Sequence, residues 1–379
     1  MGKLSKYLAA IYRKTQRSVG SISIENGASI SRKEIFGPHI FDVPTEADID
    51  GNLHQYFMGY QALAPAAHVY SAEDSRLILG REELFTANYS VYEELTTQLS
   101  NPGKRLCRRD FGKELKLRGS ILSLSLGDLE KNYYHFLVEF LARWWLFKQS
   151  EIDIDWIVFP RELPFQAQMV EILGIDPSKI VVWSGHNSLY ADKIIFPSFV
   201  NNYRLVPCSL RQFNYRKEWL PTWLSDLYSW VRGRAEMLDS GTYKDCCKIY
   251  IPRSNALSRK ILNEAELCSA LVDLGFSIID CSEIDVLRQI IIFSGAKMII
   301  APHGAGMANV LFCRPGASVL ELHPDLSYQD PSHWLSCCLM GHDYSYMIGD
   351  PVVSSSVNPK DRDFEVDISK VIDWIRNHD

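Results

Sequence analysis

Hydrophobic positions along this chain fall into short apolar runs separated by polar turns, and the length of each run sets the element it predicts. Through residues 25–120 the runs are brief, as in Ala67–Tyr70 and Arg76–Leu79, and they predict short strands and turns. Ser120–Ser125 reads as an apolar strand, followed by a long apolar helix over Asn132–Phe147. Asp153–Phe159, Ile180–Trp183 and Lys193–Phe196 read as strands and Phe165–Leu173 as a helix. Strands alternating with helices predict a parallel α/β domain.

A second series starts after residue 245. Lys248–Ile251, Ser277–Asp280, Lys297–Ala301 and Ser318–Leu322 read as strands. Helices are predicted over Asn263–Leu274, with Asn263 as cap, over Asp285–Ser294, and from Met307 onward. Short strands at this spacing suggest a Rossmann-like unit. Val366, Ile368, Val371, Ile372 and Ile375 mark a terminal helix over Val366–Ile375. Between the two series, Pro207, Pro221 and several Trp and Arg surround a helix near Trp223–Met237. The resulting division is 1–24 as an N-terminal segment, 25–205 as an N-terminal α/β domain, 206–245 as a connection, 246–350 as a Rossmann-like domain and 351–379 as a tail and helix.

Composition narrows the class. Of 379 residues, 46% are hydrophobic and 23% charged, which excludes a disordered or coiled-coil chain. The net charge of −6 argues against a nucleic-acid binder. Nine Cys form no C-x-x-C pair, and Cys246/Cys247 and Cys337/Cys338 are adjacent, which suits free thiols in a reducing compartment. No stretch approaches the ~18 apolar residues of a spanning helix. These features point to a cytoplasmic protein. The first 24 residues carry Lys3, Lys6, Arg13, Lys14 and Arg17 and no acid, with Leu4, Tyr7, Leu8, Ile11 and Tyr12 at helical spacing. Such a helix either lies on an anionic membrane, placing the chain peripherally at the inner face of the plasma membrane, or docks on its own domain.

Three constellations carry chemistry. Ala301-Pro302-His303-Gly304-Ala305-Gly306-Met307-Ala308-Asn309 sits where a strand ends and a helix begins. Glycines there let backbone approach a ligand, and the helix start favours an anion such as phosphate; the alternative is an ordinary tight turn. Asn309 stands where a dinucleotide fingerprint needs its third glycine, and no G-x-S-x-G elbow accompanies the loop. Second, Arg253, Arg259 and Lys260 follow the first strand of the second series. Strand C-terminal ends line the ligand crevice of a parallel sheet, so Arg253 falls on the same edge as His303, and its guanidinium fork suits a pyrophosphate. Glu321, closing the strand after the loop, either accepts ribose hydroxyls or forms a surface ion pair. Third, in Asn132-Tyr133-Tyr134-His135-Phe136-Leu137-Val138-Glu139, an Asn132 cap places His135 in the first helical turn. That setting favours a neutral imidazole able to accept a proton, with Glu139 one turn on; the alternative is a core histidine. The triplets Asp48-Ile49-Asp50, Asp153-Ile154-Asp155 and Asp361-Arg362-Asp363 are weak metal signals, and no metal is expected.

The order of three segments resembles glycosyltransferase family 61, including its bacterial capsular polysaccharide biosynthesis members. They are Asn132–Glu139, Tyr250-Ile251-Pro252-Arg253 through Arg259-Lys260-Ile261-Leu262-Asn263-Glu264, and Ser294–Glu321 with its His303-Gly304-Ala305-Gly306 core. Met307-Ala308 stands where Leu-Thr or Leu-Ser is more usual, and Pro252 where Ser is common. The resemblance implies a GT-B fold, two Rossmann-like domains facing across a cleft. It also implies an inverting, metal-independent transfer with no cofactor, from a nucleotide-sugar, usually a UDP-sugar. The acceptor is a saccharide or lipid-linked saccharide of a bacterial surface polysaccharide. His135, supported by Glu139, is the candidate base. Arg253, Arg259, His303, Gly304, Ala305, Gly306, Asn309 and Glu321 are the candidate donor-binding residues. A polysaccharide pyruvyl transferase on a GT-B-like scaffold and a non-catalytic sugar-nucleotide-binding scaffold are the alternatives.

Overall fold

The computed structural model describes residues 21–22, 30–79, 84–85, 91–92, 111–124, 130–159, 163–181, 185–200, 220–239, 241, 246–253, 256–325 and 330–379. The basic segment 1–20 and the connection around 201–219 lie outside them. The described residues form a mixed α/β structure that sorts into two compact units. One takes residues 21–38, 65–159 and 176–200, and the other 39–64, 163–175 and 220–379.

The first unit is built on an eight-stranded sheet. Ala67–Ile78 and Ser188–Pro197 pair antiparallel over most of their length, and Ile30–Phe36 pairs antiparallel with Ala67–Ile78. On its other side Ser188–Pro197 runs parallel to Glu114–Ser123, which runs parallel to Trp156–Val158. The sheet is therefore mixed, where alternation along the sequence suggested a parallel one. Periodicity marks strands but not their pairing direction, and Ala67–Tyr70 and Arg76–Leu79 merge into one strand whose register with Ser188–Pro197 no local signal carries.

Between Glu114–Ser123 and Trp156–Val158 runs the expected helix: Tyr133–His135 α-helical, Phe136–Phe140 π-helical, Leu141–Ser150 α-helical again. Phe136, Leu137, Val138, Phe140, Leu141, Ala142 and Leu146 are all buried. A helix apolar on nearly every side must be enclosed. Its one fully buried cation, Arg143, donates to the carbonyls of Pro197 at 3.0 Å and Ser123 at 3.3 Å and lies 4.4 Å over the Phe196 ring.

The second unit holds a five-stranded, wholly parallel sheet of Lys248–Tyr250, Ser277–Ile278, Met298–Pro302, Ser318–His323 and Asp343–Ile348. Numbered along the chain, they lie in the order 2-1-3-4-5, the doubly wound order. Tyr250, Ile300, Leu320, Leu322, Met347, Leu267, Phe364 and Trp374 make its core. The helix over Ile368–His378 starts two residues later than the apolar pattern suggests, because the Asp367 side chain accepts from the backbone of Ser369 and Lys370. Asn263 makes no side-chain cap; its amide instead ties to the backbone of Val366 at 2.8 and 3.1 Å. The hairpin of His39–Val43 and Tyr60–Ala64 also belongs to this unit. Phe57, fully buried, stacks 4.0 Å from the Tyr346 ring. Among the described residues no helix is long and apolar enough to cross a membrane, and Cys246, Cys247, Cys268, Cys281, Cys313, Cys337 and Cys338 are free thiols.

Candidate functional site

In a 2-1-3-4-5 sheet, the connections leaving strands 1 and 3 part to opposite faces. The crevice at their carboxyl ends is where such folds take ligands. Arg253 follows strand 1, Lys248–Tyr250, and His303 follows strand 3, Met298–Pro302. The Arg253 side chain packs against the glycine loop so closely that a Cβ built on Gly304 would lie 2.2 Å from its Nη1. Any other residue at 304 would push the guanidinium aside. The Arg253 backbone N–H donates to Glu264 Oε1 at 2.8 Å, and Nε donates to the Ser258 carbonyl at 3.1 Å. Glu264 Oε1 also accepts from the Tyr250 hydroxyl at 2.9 Å, so one buried carboxylate fixes the strand end and the arginine after it. Burial, with Arg259 beside it, pulls the Arg253 pKa down to about 10, against Asp361 and Glu264. The group stays cationic at neutral pH, yet has lost water that an anion would replace. Arg259 sits at φ +60°, a costly conformation for a non-glycine residue, and its buried Nε has no hydrogen-bond partner among the described residues.

The pairing of strands 3 and 4 sets Ala301 opposite Glu321 and Pro302 opposite Leu322, so His303 comes level with His323. The His303 N–H donates to the Leu322 carbonyl at 2.9 Å. Its ring stacks on His323 at 5.5 Å and tilts over His333 at 5.1 Å. His303 Nδ1 lies 2.5 Å from Glu321 Oε1, and the Tyr344 hydroxyl donates to Glu321 Oε2 at 2.7 Å. Glu321 is fully buried. Burial pushes its carboxyl up, but His323, His333 and His303 together outweigh this and hold it well below the usual carboxylate range. Burial drives His333 down to about 4, so it is neutral near pH 7. Burial raises the half-buried Asp330 carboxyl, yet His303, the Ser332 amide and hydroxyl, and His333 hold it low.

In the first unit, Asn132 caps the helix as expected, accepting from the N–H of Tyr134 at 2.9 Å and of His135 at 3.4 Å. His135 Nδ1 lies 2.6 Å from Glu139 Oε1. His135 is 25% exposed and Glu139 3%, so the imidazole reaches solvent while its partner does not. The π-helical turn at Phe136–Phe140 spans this pair, and such turns recur at functional sites.

Glu321 and Asn309 differ from their expected use. Both Glu321 oxygens are engaged by His303 and Tyr344, so the carboxylate braces the histidine rather than reaching for ribose hydroxyls. Asn309 is fully buried, donating to Gln289 Oε1 at 2.9 Å and the Gly306 carbonyl at 3.0 Å, and so fixes the far end of the loop. Ala305 and Gly306 open a 3-10 helix, Ala305–Phe312. The sequence reading missed His323 and Tyr344, which strand register brings to Glu321, and His333 and Asp330, which come from the helix Ser332–Met340 and the turn before it.

One ligand atom each of His303, Glu321 and His333 falls within 4.8 Å of the others. The 2.5 Å between His303 Nδ1 and Glu321 Oε1 is a proton-sharing distance. An ion bonded to both at ~2.0 Å would see them at an angle of only roughly 75°, far from tetrahedral. One aspartate of each D-x-D triplet is engaged by backbone N–H groups. Asp48 Oδ1 accepts from the N–H of Asp50 and Asn52, Asp155 accepts from Ser120, and Asp363 accepts from Lys260.

Residues 133–320 match the model of the family described as Glycosyltransferase 61. That span contains His135, Glu139, Arg253, Arg259, His303, Gly304, Ala305, Gly306 and Asn309, and stops one residue before Glu321. Over 74 residues the chain is 38% identical to the Takifugu rubripes protein named Protein O-linked-mannose beta-1,4-N-acetylglucosaminyltransferase 2. The aligned stretch is 19% of this chain and 12% of that protein's length. Both findings support the reading of the chain as a glycosyltransferase.

Proposed function

We propose that this chain, which carries the glycosyltransferase 61 segment over residues 133–320, moves a sugar from a nucleoside-diphosphate sugar to a saccharide or lipid-linked saccharide. The observation that carries the reading is the packing of Arg253 against Gly304 beside His303, at the switch point of a doubly wound sheet. A desolvated guanidinium, a loop that admits close approach and an imidazole braced by a carboxylate together suit a diphosphate.

The finer features follow from the resemblance and stand with the proposal: a GT-B arrangement, inversion at the anomeric carbon, no metal, and a role in bacterial surface polysaccharide synthesis at the cytoplasmic side. In the proposed reaction, Glu139 holds His135 Nδ1–H, so Nε2 takes the proton of the acceptor hydroxyl. The acceptor oxygen forms its bond to the anomeric carbon as the bond from that carbon to the phosphate oxygen breaks, and the electron pair leaves on the diphosphate. Arg253 and Arg259 meet the charge that develops there, the kind of preorganised stabilisation that is usually the largest catalytic contribution.

Calorimetric titration of the whole protein with UDP, other nucleoside diphosphates and phosphoenolpyruvate, with and without excess EDTA, tests the reading. Saturable binding of a nucleoside diphosphate that survives EDTA is the expected result. Binding of phosphoenolpyruvate alone would favour pyruvyl transfer, and no binding of any of them would overturn the proposal.

A further inference from the structure

Arg259 sits at φ +60°, a conformation that a non-glycine residue keeps only where its surroundings impose it. Both peptides that flank it are held from outside. The peptide entering it is held at the Ser258 carbonyl, which accepts from Arg253 Nε at 3.1 Å. The peptide leaving it is held at the Lys260 N–H, which donates to Asp363 Oδ1 at 2.9 Å. Beyond that peptide, the Phe364 N–H donates to the Lys260 carbonyl at 3.0 Å and the Leu262 N–H donates to the Phe364 carbonyl at 2.9 Å. Asp363 is itself fixed. Its N–H donates to Ser355 Oγ at 2.8 Å, and its carbonyl accepts from the Val352 N–H at 2.8 Å. On one side of it Arg362 is ion-paired with Asp325, just past strand 4. On the other, Phe364 is fully buried and runs so close to Gly349, just past strand 5, that a Cβ there would lie 2.4 Å from its ring. The backbone of Arg259 is thus set by a segment that lies beyond the family match over residues 133–320.

From this geometry, and resting on the glycosyltransferase reading, we propose that Asp363 is a positioning residue of the diphosphate site, holding Arg259 beside Arg253 through the Lys260 amide. Fixing the peptide planes on both sides of a residue fixes its φ and ψ, and with them the direction in which its side chain leaves the backbone. A carboxylate accepting from a backbone N–H is a strong form of such a hold. The two arginines themselves point to an anion. After burial, the nearby Arg259 does most to lower the Arg253 pKa, so like charges are kept together at a cost that a bound anion would remove. The buried Arg259 Nε has no hydrogen-bond partner among the described residues, and a buried donor calls for one. Asp363 belongs to the triplet Asp361-Arg362-Asp363, a weak metal signal in the sequence. Its carboxylate serves a backbone amide instead. Without that acceptor the peptide after Arg259 can turn over, the backbone can leave its strained conformation, and the guanidinium moves away from Arg253.

Calorimetric titration of the whole protein with UDP tests this on three variants. Asp363→Ala removes the acceptor and should weaken binding about tenfold, the lower end of what one hydrogen bond to a charged group contributes. Asp363→Asn keeps an acceptor oxygen for the Lys260 N–H and should stay within about threefold of wild type. An unchanged affinity in Asp363→Ala, or a loss in Asp363→Asn as large as in Asp363→Ala, would overturn the proposal. A double-mutant cycle separates positioning from a general loss of packing. In an Arg259→Ala background, Asp363→Ala should change UDP affinity by less than about twofold, because the group it positions is gone. A second full loss there would mean that Asp363 does not act through Arg259. Another measurement uses only wild type. Coupling between two sites is reciprocal, so saturating UDP should slow hydrogen exchange at the Lys260 amide by about the same tenfold. Exchange that UDP leaves unchanged would also overturn the proposal. If wild type binds no nucleoside diphosphate, the glycosyltransferase reading fails and this inference falls with it. If it binds UDP and the cycle shows no coupling, only this inference fails.

Discussion

Each unit of the molecule contains a histidine hydrogen-bonded through Nδ1 to a glutamate, and the two pairs are built in opposite ways. His135 and Glu139 are four residues apart on one helix, 2.6 Å between them. His303 and Glu321 are eighteen apart, on neighbouring parallel strands, 2.5 Å between them. The first pair is set by helix geometry alone, because positions i and i+4 share a face. The second exists only because strand 3 and strand 4 pair in one register, and Tyr344 on strand 5 completes it. Placement follows construction: His135 is 25% exposed, while His303 is 12% exposed beside the buried Glu321, His323 and His333. In the proposed reaction the helical pair takes the acceptor proton, and the sheet pair stands beside the loop proposed to meet the diphosphate.

The largest expected effect separates the roles. His135→Ala should lower kcat by about 10²–10⁴, the usual share of a general base. Its UDP affinity should stay within about twofold of wild type, because the proposed donor-binding residues belong to the other unit. Measured turnover near wild type would return His135 to a packing role and leave Glu139 as the next group to try.

Arg253→Ala should do the reverse, weakening UDP binding by about 1.5–3 kcal/mol, the usual cost of a hydrogen bond to a charged group. Gly304→Ala should act in the same direction and by less, since its Cβ would displace Arg253 Nη1 without removing it. Calorimetry on both folded variants checks the ranking. An unchanged affinity in Arg253→Ala removes that residue from the site.

Much of this comparison was legible in the sequence, and the rest was hidden for a physical reason. Asn132, His135 and Glu139 lie within eight residues, so cap, helix and pair could all be read locally. Arg253 and the loop at His303–Gly306 each follow an apolar strand, and a parallel sheet carries both to the same edge. Glu321 was visible as a strand-end carboxylate, but its use was not, because that depends on Tyr344 and on register. His333 and Asp330 come from a helix and turn that carry no motif. The hairpin around Phe57 gave no sign of docking near Tyr346, since nothing in a strand pattern names a partner so distant along the chain. The mixed sheet of the first unit was missed likewise: pairing direction is a long-range property.

A sharper contrast comes from removing each carboxylate in turn. Glu139 lies against the proposed base, so Glu139→Gln should lower kcat and leave UDP affinity within about twofold of wild type. Glu321 braces the histidine beside the glycine loop, so Glu321→Gln should weaken UDP binding instead. Turnover and calorimetry on both folded variants check the split. Two variants that change the same parameter would show that the two pairs do not divide the work between them.

The smallest effect concerns how the helical pair is held. Asn132 satisfies two backbone donors at the helix start, one of them on His135 itself. Asn132→Ala should cost about 1 kcal/mol of stability, the usual value for a lost cap, read as a lower urea midpoint with an unchanged slope. The helix should nonetheless persist. Phe136, Leu137 and Phe140 are fully buried one turn further on, and their packing far exceeds the contribution of a cap. His135 would then keep its bond to Glu139 while its backbone is less firmly anchored, so kcat should fall only a few-fold, far short of the loss in His135→Ala. UDP affinity should not change. If instead turnover falls as far as in His135→Ala while the fold survives, the catalytic group in the first unit is the exposed backbone of the helix start rather than the imidazole beside it.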